Sequence, residues 1–231
     1  MRRTAGMLGF LFLSSVLLPS AVEHARAQTD RYPAMAPLDE YLMPRDAEIA
    51  LARSAAPASI SDDATVLVLE RQGYTTAAQG RNGFVCLVER SWAQQTGTAE
   101  FWNPKMVSPN CFNAAAAESI ARVYLMKTRL VLAGKSRAEI AQAVAAALDS
   151  GQLTATTPGG MCYMMSKQQY LNDQAQAWHP HVMFYGPVGT GKTWGANLPG
   201  SPMIAVNDPE GRVTTFMIVV HHWSDGTPAP Q

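Results

Sequence analysis

The amino-acid sequence predicts an α+β fold: a mostly antiparallel sheet, with a helical hairpin inserted between N-terminal and C-terminal strands. Short apolar segments rich in β-branched residues come first, at residues 65–70 and 84–88. Two segments with apolar residues at three- and four-residue spacing follow, at 114–133 and 136–150. Strand-like segments return after residue 160. Strands, then helices, then strands are typical of an α+β domain.

The N-terminus has the pattern of a secretory leader. Arg2 and Arg3 precede an apolar run over residues 7–18, and a small-x-small triplet ends at Ala27. Twelve apolar residues are too few to cross a bilayer, which needs about 20. The sequence therefore predicts a signal peptide over residues 1–27, and export to the periplasm or the medium of a bacterium.

Removal of the leader changes the charge of the chain. All 231 residues carry 18 basic and 18 acidic side chains, whereas residues 28–231 carry 15 and 17, a net charge of −2. This balance does not suit a nucleic-acid partner, and no second long apolar segment predicts a membrane anchor. We expect a flexible N-terminal segment over residues 28–43, followed by a single domain over residues 44–231.

The first elements of this domain are a helix and three strands. A helix is predicted over residues 44–55, where proline suits the first turn. Residues 65–70 and 74–78 are predicted to pair as strands. An Arg-Asn-Gly turn at residues 81–83 leads into a buried strand over 84–88. Together, these strands predict a β-meander.

The middle of the chain is irregular and then helical. Residues 91–111 contain two prolines and are predicted to form no regular element. The first helix spans residues 114–133 and ends at Gly134. Ser136 and Glu139 match a capping box that begins the second helix.

The last third of the chain returns to strands. Apolar segments predict strands over residues 161–165, 181–185, 203–206 and 212–223. Asp-Pro-Glu-Gly at residues 208–211 is typical of a tight turn, which predicts that the last two strands form a hairpin.

The three cysteines permit one disulfide in an oxidising compartment. Cys86 and Cys111 are nearest in sequence and are separated by a turn-rich stretch, so we favour this pair over one with Cys162. The alternative is three reduced cysteines packed as small apolar residues.

Residues 186–193, Gly-Pro-Val-Gly-Thr-Gly-Lys-Thr, match the pattern GxxxxGK[ST]. In these eight residues the chain resembles the P-loop NTPases. The resemblance implies a phosphate cradle built on Gly186 and Gly191, with Lys192 on the phosphates and Thr193 on magnesium.

The residues around this motif disfavour a nucleotide site. Residues 194–202 contain two glycines and two prolines, so no helix can begin where the phosphate cradle requires one. Only 38 residues follow Thr193, too few for the usual parallel units. Asp208, the aspartate placed to hold magnesium, already belongs to the predicted turn. We therefore predict a loop that joins two strands.

Four histidines lie in the last third of the chain. His179 and His181 are two positions apart on an extended segment, so both rings lie on the same side of it. His221 or His222 could supply a third metal ligand. Nearby methionines make copper(I) an alternative to zinc. A metal site here would suit a metal-dependent hydrolase. The alternative is that these are strand-end histidines paired with the backbone or with water, in which case no cofactor is expected.

Trp178, Trp194 and Trp223 flank the same strands and predict a binding cleft. The leading hypothesis is an exported, non-enzymatic domain that binds a small molecule or a protein partner. The hydrolase is the alternative, and a nucleotide-binding protein is the disfavoured third.

Overall fold

The computed structural model describes residues 31–230, which form an α+β domain with one eight-stranded sheet. The predicted signal peptide and residues 28–30 lie outside the described residues. The strands are β1 (Thr65–Glu70), β2 (Gly73–Ala78), β3 (Val85–Glu89), β4 (Ser108–Phe112), β5 (Met161–Met164), β6 (His181–Pro187), β7 (Met203–Asp208) and β8 (Val213–Val219). The helices are α1 (Arg45–Arg53), α2 (Ala58–Ser61), α3 (Ala114–Ala116), α4 (Arg122–Leu132) and α5 (Arg137–Asp149).

The strands lie in the order β2, β1, β3, β4, β5, β6, β8, β7, and every neighbouring pair is antiparallel except β1 with β3. The predicted β-meander is therefore wrong, because β3 pairs with β1 rather than with β2. The chain that leaves β2 crosses the start of β1 at Gly80. A Cβ built on Gly80 would overlap backbone atoms of Asp63, Ala64 and Thr65, so only glycine permits this crossing.

Strand β4 lies within the stretch that the sequence predicts to be irregular, and that prediction is wrong at its C-terminal end. The strand pairs with β3 along its whole length despite Pro109. Strand β5 pairs only with Cys111 and Phe112 of β4. Pro109 thus lies beyond the end of β5, where one side of β4 has no partner strand and a missing N–H is tolerated.

The two long helical segments begin with side-chain caps. The Asn113 side chain accepts a hydrogen bond from the Ala116 amide at 3.0 Å, and a π-helical turn (Ala117–Ala121) joins α3 to α4. Helix α5 begins with the predicted capping box of Ser136 and Glu139. Helices α4 and α5 contact each other.

A core lies on each face of the sheet. Helices α4 and α5 cover one face and bury residues such as Tyr124 and Ile140, while α1 covers the other. The predicted disulfide is confirmed: Cys86 and Cys111 are direct cross-strand partners on β3 and β4 and belong to the core under α1. A closed loop of this size stabilises the fold by about 3 kcal/mol in the chain-entropy description.

Part of the N-terminal segment that the sequence predicts to be flexible packs against the domain. Tyr41 is buried, and its hydroxyl donates to the Trp102 carbonyl at 2.8 Å. The Tyr32 hydroxyl donates to Asp173 at 2.7 Å. These contacts tie the segment to the loop that precedes β4 and to the loop that follows β5.

The exposed edge of the sheet, at β7, is blocked by a loop residue. Asn197 adopts a left-handed conformation, with φ at 59°. Its side chain accepts from the Ala205 amide at 3.0 Å and donates to the Ala205 carbonyl at 2.8 Å. A side-chain amide thus occupies the position that the backbone of another strand would take.

No helix within residues 31–230 is long and apolar enough to cross a membrane.

Candidate functional site

A partly enclosed cavity of about 70 Å³ lies between helix α4 and the sheet. This space exceeds what one water molecule needs, so it can hold several waters or a small ligand. The lining combines apolar side chains with a few charged ones. The residues around it are Glu89, Ala93, Ile120, Val123, Tyr124, Lys127, Ala155, Asp208, Gly211 and Val213.

Glu89 forms part of the sheet side of the cavity and belongs to a polar row that crosses four strands. The Asn110 side chain on β4 donates to Glu89 Oε2 at 3.0 Å. Asn110 Oδ1 in turn accepts from the Cys162 thiol at 3.5 Å, and Cys162 Sγ lies 3.0 Å from the Tyr185 hydroxyl. Strand alternation places all four side chains on the face covered by α4.

Burial raises the pKa of Glu89 to about 8, and the nearby charge of Lys127 acts in the opposite direction. The carboxyl group is therefore mostly protonated at neutral pH. Asn110 donates to Oε2, so that oxygen already has an acceptor role within the protein. Within residues 31–230, Oε1 has no hydrogen-bond partner.

Lys127 lies on the helical side of the cavity, and its charge is already neutralised. Its side chain is 2% exposed, and Nζ lies 2.8 Å from Glu210 Oε1 and 3.0 Å from the Gln94 carbonyl oxygen. Glu210 also accepts hydrogen bonds from the amide and the hydroxyl of Thr96. Burial raises the pKa of Glu210, but these hydrogen bonds and Lys127 outweigh burial and hold the pKa below its ordinary value.

Asp208 contributes a second carboxylate from the end of β7, next to the turn into β8. Its Oδ1 atom is buried and has no hydrogen-bond partner within the described chain. Gly211 leaves room for this carboxylate in its present position, since a Cβ there would lie 2.6 Å from Asp208 Oδ2. A buried carboxylate oxygen without a partner is rare in proteins and indicates that a water or a ligand supplies one.

The sequence analysis missed this site, although its pattern contains two signals. Glu89 continues the inward-facing alternation of Val85 and Leu87. Lys127 lies on the apolar stripe of α4, between Tyr124 and Val131. A charged residue on a buried face is unusual and marks a candidate site.

The histidine prediction gains no support from the geometry. No group of three or more His, Cys, Asp or Glu side chains in residues 31–230 is arranged to hold a metal ion. His181 is buried, and its Nδ1 donates to the His179 carbonyl at 2.8 Å. Burial lowers the pKa of His181, so the ring is neutral at pH 7. His221 and His222 are exposed in the C-terminal segment after β8.

The three tryptophans do not form one cleft. The Trp178 ring packs against the His181 ring with centroids 4.7 Å apart, whereas Trp194 stacks on Phe216 at 4.6 Å. His181 and Phe216 point to opposite faces of the sheet, because their positions differ in strand alternation. Trp223 lies after β8, and none of the three lines the cavity beneath α4.

The segment that resembles a P-loop is a loop between β6 and β7. A three-residue 3₁₀ turn (Lys192–Trp194) stands where a phosphate cradle would need an α-helix. The Gly189 amide donates to Thr214 Oγ1 at 2.9 Å. Lys192 and Thr193 are exposed, and the Thr193 hydroxyl donates to the Thr190 carbonyl. Gly186 lies within β6, and Gly191 packs near the Ala205 side chain.

Cys162 is also unsuited to nucleophilic chemistry. It is fully buried, and burial raises the pKa of its thiol well above the usual range. The thiol is therefore a member of the polar row beneath the cavity, where its hydrogen bond to Asn110 Oδ1 orients the Asn110 amide.

Comparison of this chain with known protein families, with curated proteins and with solved structures finds no match.

Proposed function

We propose that this protein is an exported binding domain whose ligand occupies the cavity between α4 and the sheet. The observation that carries the proposal is the cavity itself, where Glu89 presents an oxygen without a protein partner inside a mostly apolar wall. Small-molecule sites typically combine an apolar lining with a few placed polar groups. The ligand is a small molecule with one polar group and a short apolar part.

Three C3 probes test this proposal: 1-propanol, propylammonium and propionate, each titrated to about 100 mM while amide chemical shifts are followed by NMR. We expect at least one probe to shift amides around the cavity, with a dissociation constant in the millimolar range, which is within the ceiling of about −1.5 kcal/mol per heavy atom for very small ligands.

Replacement of Ala155 by leucine should fill the cavity and abolish these shifts. Ala138→Leu is the matched control, because Ala138 lies on the exposed face of α5, outside the cavity lining. The proposal fails if no probe produces shifts confined to the cavity, or if Ala155→Leu binds the probes as the wild type does.

We also propose that the chain is exported by cleavage after Ala27. The leader pattern supports this, as does the Cys86–Cys111 disulfide, since disulfides persist in oxidising compartments. Expression of the full chain in a bacterium should yield a periplasmic or secreted product that begins at Gln28. Mass spectrometry of the purified protein measures its N-terminus, and recovery only of uncleaved cytoplasmic chain contradicts export.

A further inference from the structure

The cavity contains more negative than positive charge once its internal ion pair is counted. Lys127 is the one basic residue among those that line it, and Glu210 neutralises Lys127 at 2.8 Å. Neither Glu89 nor Asp208 forms a salt bridge within residues 31–230. Two carboxyl groups therefore line the same cavity without a cationic partner.

We infer that the ligand is a small organic cation, an alkylammonium whose nitrogen donates to Glu89 Oε1 and whose alkyl chain packs against Ile120, Val123 and Val213. This inference rests on the proposed binding function and specifies the class of ligand.

The polar contacts around Glu89 leave a defined place for the ammonium group. Asn110 occupies Oε2, which leaves Oε1 for the ligand. Asp208, whose Oδ1 atom has no hydrogen-bond partner within the described chain, supplies another wall of the same cavity. An ammonium group carries three donors and no acceptor, and its charge complements both carboxyl groups.

The dimensions of the cavity limit the rest of the ligand. A volume of about 70 Å³ suits a few heavy atoms, and most of the surface of the cavity is apolar. A short alkyl chain can pack against this apolar surface, because burial of each CH₂ group is favourable and leaves no polar atom unpaired.

Binding of a cation also couples to the protonation of Glu89. The titratable groups that face it are Tyr124 and Lys127 on α4, Cys162 and Tyr185 on the sheet, and Asp208 and Glu210 at the β7–β8 turn. Burial raises the pKa values of Tyr124, Cys162 and Tyr185, so these three groups stay neutral near pH 7.

Glu89, in contrast, is the group whose charge we expect to change when an ammonium enters. The pKa of Glu89, about 8 in the free protein, falls in the complex because the cation favours the carboxylate. Affinity for the cation must then rise as the pH increases from 6 to 8, with release of a proton on binding.

The experiment compares propylammonium, 1-propanol and propionate on the wild type at pH 6, 7 and 8. We expect propylammonium to bind at least about tenfold more tightly than the two other probes at pH 8, and to bind more weakly at pH 6. The ¹³C resonance of the Glu89 carboxyl group should titrate at lower pH when propylammonium is present.

Glu89→Gln keeps the shape of the side chain and removes its charge. It should weaken propylammonium binding at least about tenfold, abolish its pH dependence and weaken 1-propanol binding by a smaller factor, because 1-propanol carries no charge. Glu118→Gln is the matched control, because Glu118 is an exposed carboxylate paired with Arg122 outside the cavity.

The possible results separate the two proposals. If 1-propanol or propionate binds as tightly as propylammonium, or if Glu89→Gln binds propylammonium as the wild type does, the cation inference is overturned and the binding function stands. If none of the three probes binds in the cavity, both the proposed binding function and the cation inference are wrong.

Discussion

Replacement of Arg90 by leucine should cost about 3–5 kcal/mol of unfolding free energy, the amount lost when one partner of a buried ion pair is removed. Arg90 and Glu48 have fully buried side chains, and Arg90 Nη2 lies 3.0 Å from Glu48 Oε1. Arg90 also donates from Nε to the Tyr41 carbonyl at 2.8 Å and from Nη1 to the Val88 carbonyl. The substitution therefore leaves the Glu48 carboxylate without its cationic partner and the Tyr41 carbonyl without its hydrogen-bond donor, whereas the Tyr74 hydroxyl still donates to the Val88 carbonyl.

Urea unfolding at pH 7 measures this loss. Arg45→Leu is the control, because the Arg45–Glu70 pair is nearly half exposed and exposed pairs contribute at most about 1 kcal/mol. A loss at Arg90 no larger than the loss at Arg45 would show that the buried pair does not stabilise the fold.

The same pair predicts how stability depends on pH in the Arg90→Leu variant. Burial raises the pKa of Glu48, and Arg90 normally acts in the opposite direction. Without Arg90, ionisation of Glu48 in the folded state becomes more costly. The loss of unfolding free energy in this variant should therefore grow as the pH rises above the ordinary pKa of glutamate. A second substitution, Glu48→Gln, should recover part of that loss.

Replacement of Gly80 by alanine should destabilise the domain by at least about 4 kcal/mol, which is at the upper end for single substitutions. An alanine Cβ would overlap backbone atoms of Asp63, Ala64 and Thr65. Backbone cannot move aside as a flexible side chain can, so either the crossing or the start of β1 must shift. The Thr65 nitrogen is one of these backbone atoms, and its amide donates to the Phe84 carbonyl, so a shift would also disturb that hydrogen bond.

Comparison of the unfolding free energies of Gly80→Ala and Gly97→Ala by chemical denaturation distinguishes this clash from a general effect of replacing glycine. A Cβ atom added to Gly97 would meet no neighbouring atom within 4 Å, so alanine there should change stability by less than about 1 kcal/mol. Equal stability of the two variants would contradict the close crossing at Gly80.

The sequence by itself determined the fold class and most of the secondary structure. Apolar residues on one face of α4 and α5 predict helices because a helix must bury one stripe, and the capping box locates the start of α5 within one residue. The strands β1, β3 and β6 were predicted for a similar reason, since each is a continuous apolar segment. The disulfide followed from the spacing of the cysteines.

The sequence did not determine which strands are neighbours. A β-meander and the observed crossing over β1 place the same apolar residues in a sheet, and local patterns do not distinguish them. The choice depends on the close passage at Gly80 and on packing against α1. Strand β4 was missed because a proline such as Pro109 usually interrupts a strand, and only the sheet shows that it lies beyond the end of β5.

The candidate site depends even more on tertiary structure. Glu89, Lys127 and Asp208 come from two strands and a helix that lie far apart in the chain. The raised pKa of Glu89 is caused by burial among those elements, which no local pattern contains. The histidines, tryptophans and glycine-rich loop were conspicuous because they are close in sequence. The cavity arises where distant residues meet, because only the packing of α4 on the sheet brings Glu89 and Lys127 to the same space.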